Sequence, residues 1–210
     1  MRVAQIMAGK EAGGAELFYA RLTSALAEDT DVKQIAILRP HARWLEMLES
    51  TGVALETHRF GGRLDLQTKR RMRAHLESFE VDVALSWMSR AARFCPRGVW
   101  TNAARLGGYY SLKYYQNCQA FIGNTEGICD YLRKQGVPAE KVHYIPNFID
   151  ERPLPADDAT QFPATQGDAG SILMAAGRLH RNKGFDVLIE ALSAVPSATL
   201  WLAGEGPERT

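Results

Sequence analysis

The chain has 210 residues, enough for one complete α/β domain and part of a second. Hydrophobic residues make up 46% of it, which excludes disorder by composition, and a formal net charge of +1 gives no global field that would favour nucleic acid or another polyanion. Three cysteines, Cys95, Cys118 and Cys129, include no C-x-x-C pair and read as free thiols of a reducing cytoplasm.

The first apolar stretch, Val3–Met7, runs directly into Gly9, Lys10 and Glu11, so it reads as a strand and not as a signal peptide. No apolar run approaches the roughly 20 residues of a membrane span, and the expectation is a cytoplasmic protein, with peripheral contact at the inner face of the cell membrane left open. A Gly-rich loop follows the strand. Leu17, Phe18, Leu22, Ala25 and Leu26 then recur at helical spacing and predict a helix over Ala15–Glu28. Gln34–Leu38 reads as the second strand, Trp44–Leu48 as part of a helix and Ala54–Phe60 as a third strand. Gln67–Phe79 is a basic amphipathic helix, and Asp82–Trp87 and Val99–Ala104 are strands. Ala120–Asn124 is a short strand, and Ile128–Gln135 a helix closed by Gly136 with Pro138 just beyond. Val142–Ile145 ends the first series, which is assigned to residues 1–150.

Residues 151–170 change character. Pro153, Pro155 and Pro163, with acidic residues and scattered Gly, Thr and Gln, mark a linker. The alternation then restarts, with a buried strand over Ile172–Ala176, a helix over Phe185–Leu192 and a strand over Thr199–Ala203. Strands alternating with helices argue for β-α-β units and parallel sheets. One strand-helix-strand unit cannot bury both faces of such a sheet, so residues 171–210 read as the opening of a second domain and as the least stable part of the chain.

Two loops carry anion-binding equipment. In Ala8-Gly9-Lys10-Glu11-Ala12-Gly13-Gly14-Ala15-Glu16 the glycines allow close backbone approach, and the following helix N-terminus offers unpaired N–H groups. The loop is neither G-x-G-x-x-G nor a Walker A sequence, and a tight turn without a ligand would explain it equally well. Gly177-Arg178-Leu179-His180-Arg181-Asn182-Lys183-Gly184-Phe185 puts three cations beside a helix start, suited to a diphosphate, although a solvated basic loop gives the same pattern.

These loops occur in order with Tyr144-Ile145-Pro146-Asn147-Phe148-Ile149-Asp150 and with Trp201-Leu202-Ala203-Gly204-Glu205-Gly206-Pro207. The ordered set resembles glycosyltransferase family 4 over nearly the whole chain, most distinctively in its last part. The resemblance implies an α/β, GT-B-type architecture, with a Rossmann-like acceptor-side domain followed by an incomplete donor-binding one. It implies a retaining transfer of a sugar from a nucleotide sugar to a glycan or lipid-linked acceptor, in bacterial cell-envelope polysaccharide or lipopolysaccharide synthesis. Arg178 and Lys183 would bind the donor diphosphate in place of a metal, so neither a metal nor another cofactor is expected. Gly13 and Gly14 would approach the donor from the other side, and Glu205 belongs to the donor-side motif. The family's mid-domain His has no counterpart in Thr101-Asn102-Ala103-Ala104-Arg105-Leu106-Gly107-Gly108, where Arg105 or Asn102 would take its place as catalytic residue. Phe148 stands where members usually have Gly. The family's Glu, seven residues, Glu motif would lie beyond Thr210, so the chain as given is expected to bind donor poorly and turn over little.

Lys69, Arg70, Arg71 and Arg73 form a basic helix face, either simply solvated or drawn to anionic lipid headgroups or a phosphorylated lipid-linked acceptor. Tyr109, Tyr110, Tyr114 and Tyr115 suit sugar stacking and helix packing alike. The five histidines show no metal-ligand spacing, and no serine has a nucleophile-elbow context. Two other readings stand beside the transferase: a non-catalytic acceptor-side or glycan-binding domain, and a nucleotide-sugar 2-epimerase, which the Gly177–Phe185 segment disfavours.

Overall fold

The computed structural model describes residues 1–9, 13–62, 64–149 and 170–209. The chain divides into two compact units, Met1–Asp150 and Glu151–Thr210. The predicted 151–170 linker lies outside the described residues apart from Gly170.

Unit 1 is a seven-stranded, all-parallel sheet. Its strands are β1 (Arg2–Met7), β2 (Lys33–Leu38), β3 (Ala54–Thr57), β4 (Val83–Trp87), β5 (Thr101–Leu106), β6 (Ala120–Gly123) and β7 (Val142–Tyr144), in the order β3-β2-β1-β4-β5-β6-β7. The helices are α1 (Gly14–Ala27), α2 (Ala42–Glu49), α3 (Leu66–Ser78), α4 (Met88–Phe94) and α5 (Glu126–Lys134). Alternation along each strand divides the core between the two faces. Ala4, Ile6, Ile35, Ile37 and Ala84 pack with Met72 and Leu76 of α3 and Phe94 of α4. Met7, Ala36, Leu38, Leu85 and Trp87 pack with Phe18 and Tyr19 of α1 and Trp44 and Leu48 of α2. A third cluster joins Ala104, Leu106 and Phe121 to Ile128 and Leu132 of α5. Both faces of the central strands are therefore covered, which is why β1, β2 and β4 read as nearly continuous apolar runs.

Several bounds differ from expectation for local reasons. β3 stops at Thr57, and the chain then turns through Phe60, which has φ +45°. β5 begins two residues late because Val99, apolar as it is, stands fully in solvent at 101% exposure. Helix α4 was not predicted. It is only seven residues long, it lacks a capping side chain, and its first residue, Met88, has φ +61°. α5 starts earlier than its apolar stripe, where the Thr125 hydroxyl accepts from the Ile128 amide at 3.2 Å.

The described part of unit 2 holds β8 (Ile172–Ala176), α6 (Phe185–Leu192) and β9 (Thr199–Ala203), with β8 and β9 parallel. The expectation that Ile172–Ala176 is buried is corrected: Ile172, Leu173 and Met174 are 47%, 42% and 62% exposed. Among the described residues β9 is the only neighbour of β8, and two strands with one helix leave a sheet face uncovered. No helix among the described residues is long and apolar enough to cross a membrane.

Candidate functional site

In unit 1 the chain winds outward from β1 through β2 to β3, then returns to start β4 on the other side of β1. This reversal leaves a crevice outside the carboxyl ends of β1 and β4, where open parallel sheets bind their ligands. A pocket of about 340 Å³ lies there, lined by Ala8, Gly9, Glu16, Trp87, Met88, Ser89, Arg90 and Tyr110. Met88, at the mouth of β4, holds a left-handed backbone that non-glycine residues adopt at a cost of about 1–3 kcal/mol, and such strain concentrates at ligand sites.

The glycine loop feeds this pocket. Gly13 is the N-cap residue of α1 and makes no side-chain cap, so the helix start is left to other partners. The buried Glu16 side chain folds back over the loop. A Cβ on Gly9 would collide with its carboxylate, and one on Gly13 would come within 2.6 Å of it. A carboxylate therefore sits where the helix dipole favours an anion. Nothing within 4 Å would oppose a Cβ on Gly14, so the protein's own packing does not demand glycine there. Tyr110 is half-buried; burial and, second, the Glu16 charge hold its phenol above the ordinary value, so it remains a donor.

Arg105 stands at the carboxyl end of β5, 4% exposed. Its guanidinium lies 4.8 Å from the Phe18 ring centre and 5.5 Å from that of Trp87. It donates to Asn147 Oδ1 at 2.8 Å and to the Pro146 carbonyl at 3.4 Å. Burial lowers its pKa, yet a guanidinium stays charged. Among the described residues no carboxylate pairs with it. Phe148, in place of the family's usual glycine, packs edge-on against Phe18 with ring centres 4.9 Å apart. The Ile-Pro-Asn-Phe segment is thereby tied to Arg105 and its aromatic cage. Trp87 is fixed from below, its indole N–H donating to Gln5 Oε1 at 3.0 Å.

Asn102 belongs elsewhere, and its candidacy as a catalytic residue is corrected. Three positions before Arg105 on a strand, it faces the opposite side of the sheet, roughly 10 Å nearer the amino end. It is fully buried, accepts from Cys95 Sγ at 3.0 Å and Trp100 Nε1 at 2.9 Å, and donates to the carbonyls of Pro96 and Asn117. Every polar atom of its amide is used within the core.

In unit 2 the two motifs form one backbone assembly. The Gly177 amide donates to the Ala203 carbonyl and the Leu179 amide to that of Glu205, both at 2.9 Å. A Cβ on Gly204 would strike the Gly177 carbonyl, and one on Gly206 the Leu179 carbonyl. These glycines are required because two loops cross in contact. Gly184, with φ +65°, ends the turn Arg181–Lys183 and starts α6. Lys183 is exposed, and Glu205 is paired with Arg209. A pocket of about 560 Å³ lies beside this assembly, lined by residues that include Leu179, Arg181, Phe185 and Glu208, but not by Arg178, Lys183 or Glu205.

Gly13, Gly14 and Arg105 thus lie at the carboxyl edge of the unit 1 sheet, and Arg178, Lys183 and Glu205 in the loops of unit 2. Sequence reasoning missed Glu16, Trp87, Ser89 and Arg90. The one signal for them was position: Glu16 lies in the first turn of the helix that follows the glycines, Trp87 ends a strand, and Ser89 and Arg90 come just after it. The described residues contain no group of three or more His, Cys, Asp or Glu arranged to hold a metal.

The chain is 35% identical over 215 residues to lipopolysaccharide core biosynthesis glycosyltransferase LpsE of Rhizobium meliloti (strain 1021), covering 100% of this chain and 61% of that protein. It is 37% identical over 216 residues to LpsD of the same organism, covering 100% of this chain and 60% of LpsD. It therefore spans about three fifths of the length of these relatives. Among solved structures, Anabaena HepE in complex with UDP superposes with a TM-score of 0.74 at 18% identity, over 98% of this chain and 61% of that one. That likeness is one of fold, the α/β arrangement of GT-B type. The model of Glycosyltransferase Family 4 matches residues 12–152, and the chain belongs to that family.

Proposed function

We propose that the chain is the acceptor-side domain and the first part of the donor-binding domain of a retaining glycosyltransferase of lipopolysaccharide or related envelope polysaccharide synthesis. The donor is a nucleotide sugar, as the UDP bound by HepE suggests, and the acceptor a glycan or lipid-linked glycan. The observation that carries the reading is the match along the whole chain to two lipopolysaccharide core glycosyltransferases.

In this reading an acceptor hydroxyl oxygen bonds to the anomeric carbon as the bond to the donor phosphate breaks on the same face. The nucleoside diphosphate leaves with the electron pair, and the acceptor proton passes to a leaving phosphate oxygen. Arg178 and Lys183 offset the charge that develops there, Glu205 belongs to the same donor-side loop, and Gly13 and Gly14 admit the donor to the glycine loop. Arg105 supplies a fixed positive charge in a dry setting, where electrostatic stabilisation is strongest. The 210-residue chain alone is proposed to bind donor weakly.

Contact with the cytoplasmic membrane surface is part of the proposal. Leu64 and Leu66, 91% and 69% exposed, precede the cations Lys69, Arg70 and Arg73 on α3. Changing these three cations to Gln should weaken binding to phosphatidylglycerol vesicles about 100-fold, at ~1 kcal/mol per charge, and unchanged binding would remove the contact.

The test of the main reading is transfer by the native protein isolated from its source. It is incubated with a panel of labelled nucleotide sugars and truncated lipopolysaccharide core. A labelled core with the donor's anomeric configuration is the expected product. Absence of transfer from every donor, or an inverted linkage, would overturn the reading.

A further inference from the structure

Unit 1 holds a second pocket, of about 480 Å³, at the carboxyl ends of β2 and β3 beside the first turns of α3. Its lining is mostly polar and includes Thr57, His58, Arg59, Asp65, Gln67 and Arg71. The volume lies in the range of small-molecule sites and is larger than a bare anion needs.

Charge around the pocket is predominantly positive. Arg59 and Arg71 are exposed cations on its wall. The one carboxylate, Asp65, is already engaged: it accepts from the Gly61 amide at 2.7 Å, the Thr68 amide at 2.9 Å and the Thr68 hydroxyl at 2.7 Å. Behind the wall, the buried Arg39 donates to the Phe60 carbonyl, and Arg90 donates to the same carbonyl at 3.4 Å. Two guanidinium groups thus converge on one neutral oxygen, and among the described residues neither has a carboxylate at ion-pair distance.

His58 supplies an independent observation. It lines the pocket while only 5% exposed, and its Nε2 has no hydrogen-bond partner among the described residues. Its ring lies 5.3 Å from that of His75, whose Nε2 meets Glu56 at 3.4 Å. Burial, then His75, hold the His58 pKa below its ordinary value, so the ring is neutral at pH 7. Buried polar atoms without partners are uncommon and call for one.

The basic helix face also divides here. Gln67, Thr68 and Arg71 form one stripe of α3 at helical spacing and line the pocket. Lys69, Arg70 and Arg73 lie on other faces, and Arg73 pairs with Glu77 at 3.6 Å. Arg71 is therefore set apart from the cations proposed for the membrane.

We propose that this pocket receives a phosphorylated sugar of the acceptor glycan, its phosphate monoester held by Arg59 and Arg71 and its hydroxyls by the polar wall that includes His58 and Gln67. The proposal rests on the reading of unit 1 as the acceptor side and adds the acceptor's chemical class.

The test is titration of the 210-residue protein with glucose 6-phosphate, glucose and inorganic phosphate, followed by NMR or calorimetry. Glucose 6-phosphate should bind at least about tenfold more tightly than either of the others. Arg71→Gln and Arg59→Gln should each weaken it about tenfold, while the double change of Lys69→Gln and Arg73→Gln leaves it unaltered. These are exposed side chains, so near-UV circular dichroism should be unchanged in all of them. Equal affinity for glucose, binding of inorganic phosphate as tight as that of the sugar phosphate, or equal sensitivity to the Lys69 and Arg73 changes would each overturn the proposal. The readout is binding, so failure here leaves the transferase reading standing, and failure of transfer appears only in the assay on the native protein.

Discussion

Arg105 is a buried cation met by two aromatic faces and two neutral oxygens. Desolvating a charge costs several kcal/mol, and cation–π contacts return about 0.5–2 kcal/mol each. Removing the charge along with its side-chain donors should therefore cost little stability. We expect Arg105→Leu to shift unfolding free energy by no more than about 1 kcal/mol, while transfer by the native protein falls about 100-fold or more. A loss of several kcal/mol in urea unfolding, with activity falling only in step, would make Arg105 a packing residue. Asn102 predicts the reverse. Asn102→Ala removes the nearer acceptor of the Trp100 indole N–H, leaving it the Pro96 carbonyl at 3.3 Å, and takes one donor from the carbonyls of Pro96 and Asn117; it should cost about 1–3 kcal/mol in urea unfolding. Ligand titrations of the folded variant should be unchanged. In the sequence these two residues are equivalent candidates three positions apart. What separates them is the face of β5 each occupies: an odd spacing puts them on opposite faces of one strand, but the apolar Val99 draws the predicted strand to Val99–Ala104 and so leaves Arg105 outside it.

At the scale of elements, α3 shows how a local signal organises a site. Asp65 caps it through Thr68 and also ties down Gly61, so one carboxylate fixes both the helix start and the loop before it. Those hydrogen bonds hold its pKa below the ordinary carboxylate value. A folded-state pKa below the unfolded one means its stabilisation is fully present above the unfolded value and is lost as pH falls through the folded value. Asp65→Ala should thus cost about 1–2 kcal/mol near pH 7 and progressively less as the pH falls from the unfolded carboxylate value through the lower folded one. A pH-independent difference in urea midpoints would show that the charge is not involved. Elements with their own periodicity were legible in the sequence: the bounds of β8, α6 and β9 coincide with the strand-helix-strand alternation. Helix α4 was not, because it starts from a strained Met88 without a cap and inherits its direction from β4. The second pocket was illegible for a related reason. His58, Arg59 and Arg71 come from a strand end and a helix brought together by the sheet, and no spacing in the sequence announces that meeting.

On the scale of the whole molecule, the described residues of the two units differ in how completely they cover their sheets. In unit 1 the central strands are buried on both faces, with Ala4, Ile6, Ile37 and Ala84 at 0% exposure. In unit 2, Met174, Val187 and Ile189 are 62%, 65% and 56% exposed, on a strand and a helix that elsewhere would face a core. Backbone hydrogen bonds between β8 and β9 are consequently protected by little apolar cover, and local opening there exposes little additional surface to water. Amides of Leu173–Ala175 and Leu200–Leu202 should exchange with solvent at least about 100-fold faster than those of Ala4–Ile6 and Ala84–Ser86 under native conditions. The rates should also be less sensitive to urea, because a small opening has a small m-value. Hydrogen exchange followed by mass spectrometry reads both quantities from one series. Equal protection in the two units, with equal urea slopes, would mean that they unfold as one cooperative body, and that the exposed apolar side chains of unit 2 are covered in solution. Faster exchange confined to unit 2 would identify it as the independently opening part of the molecule.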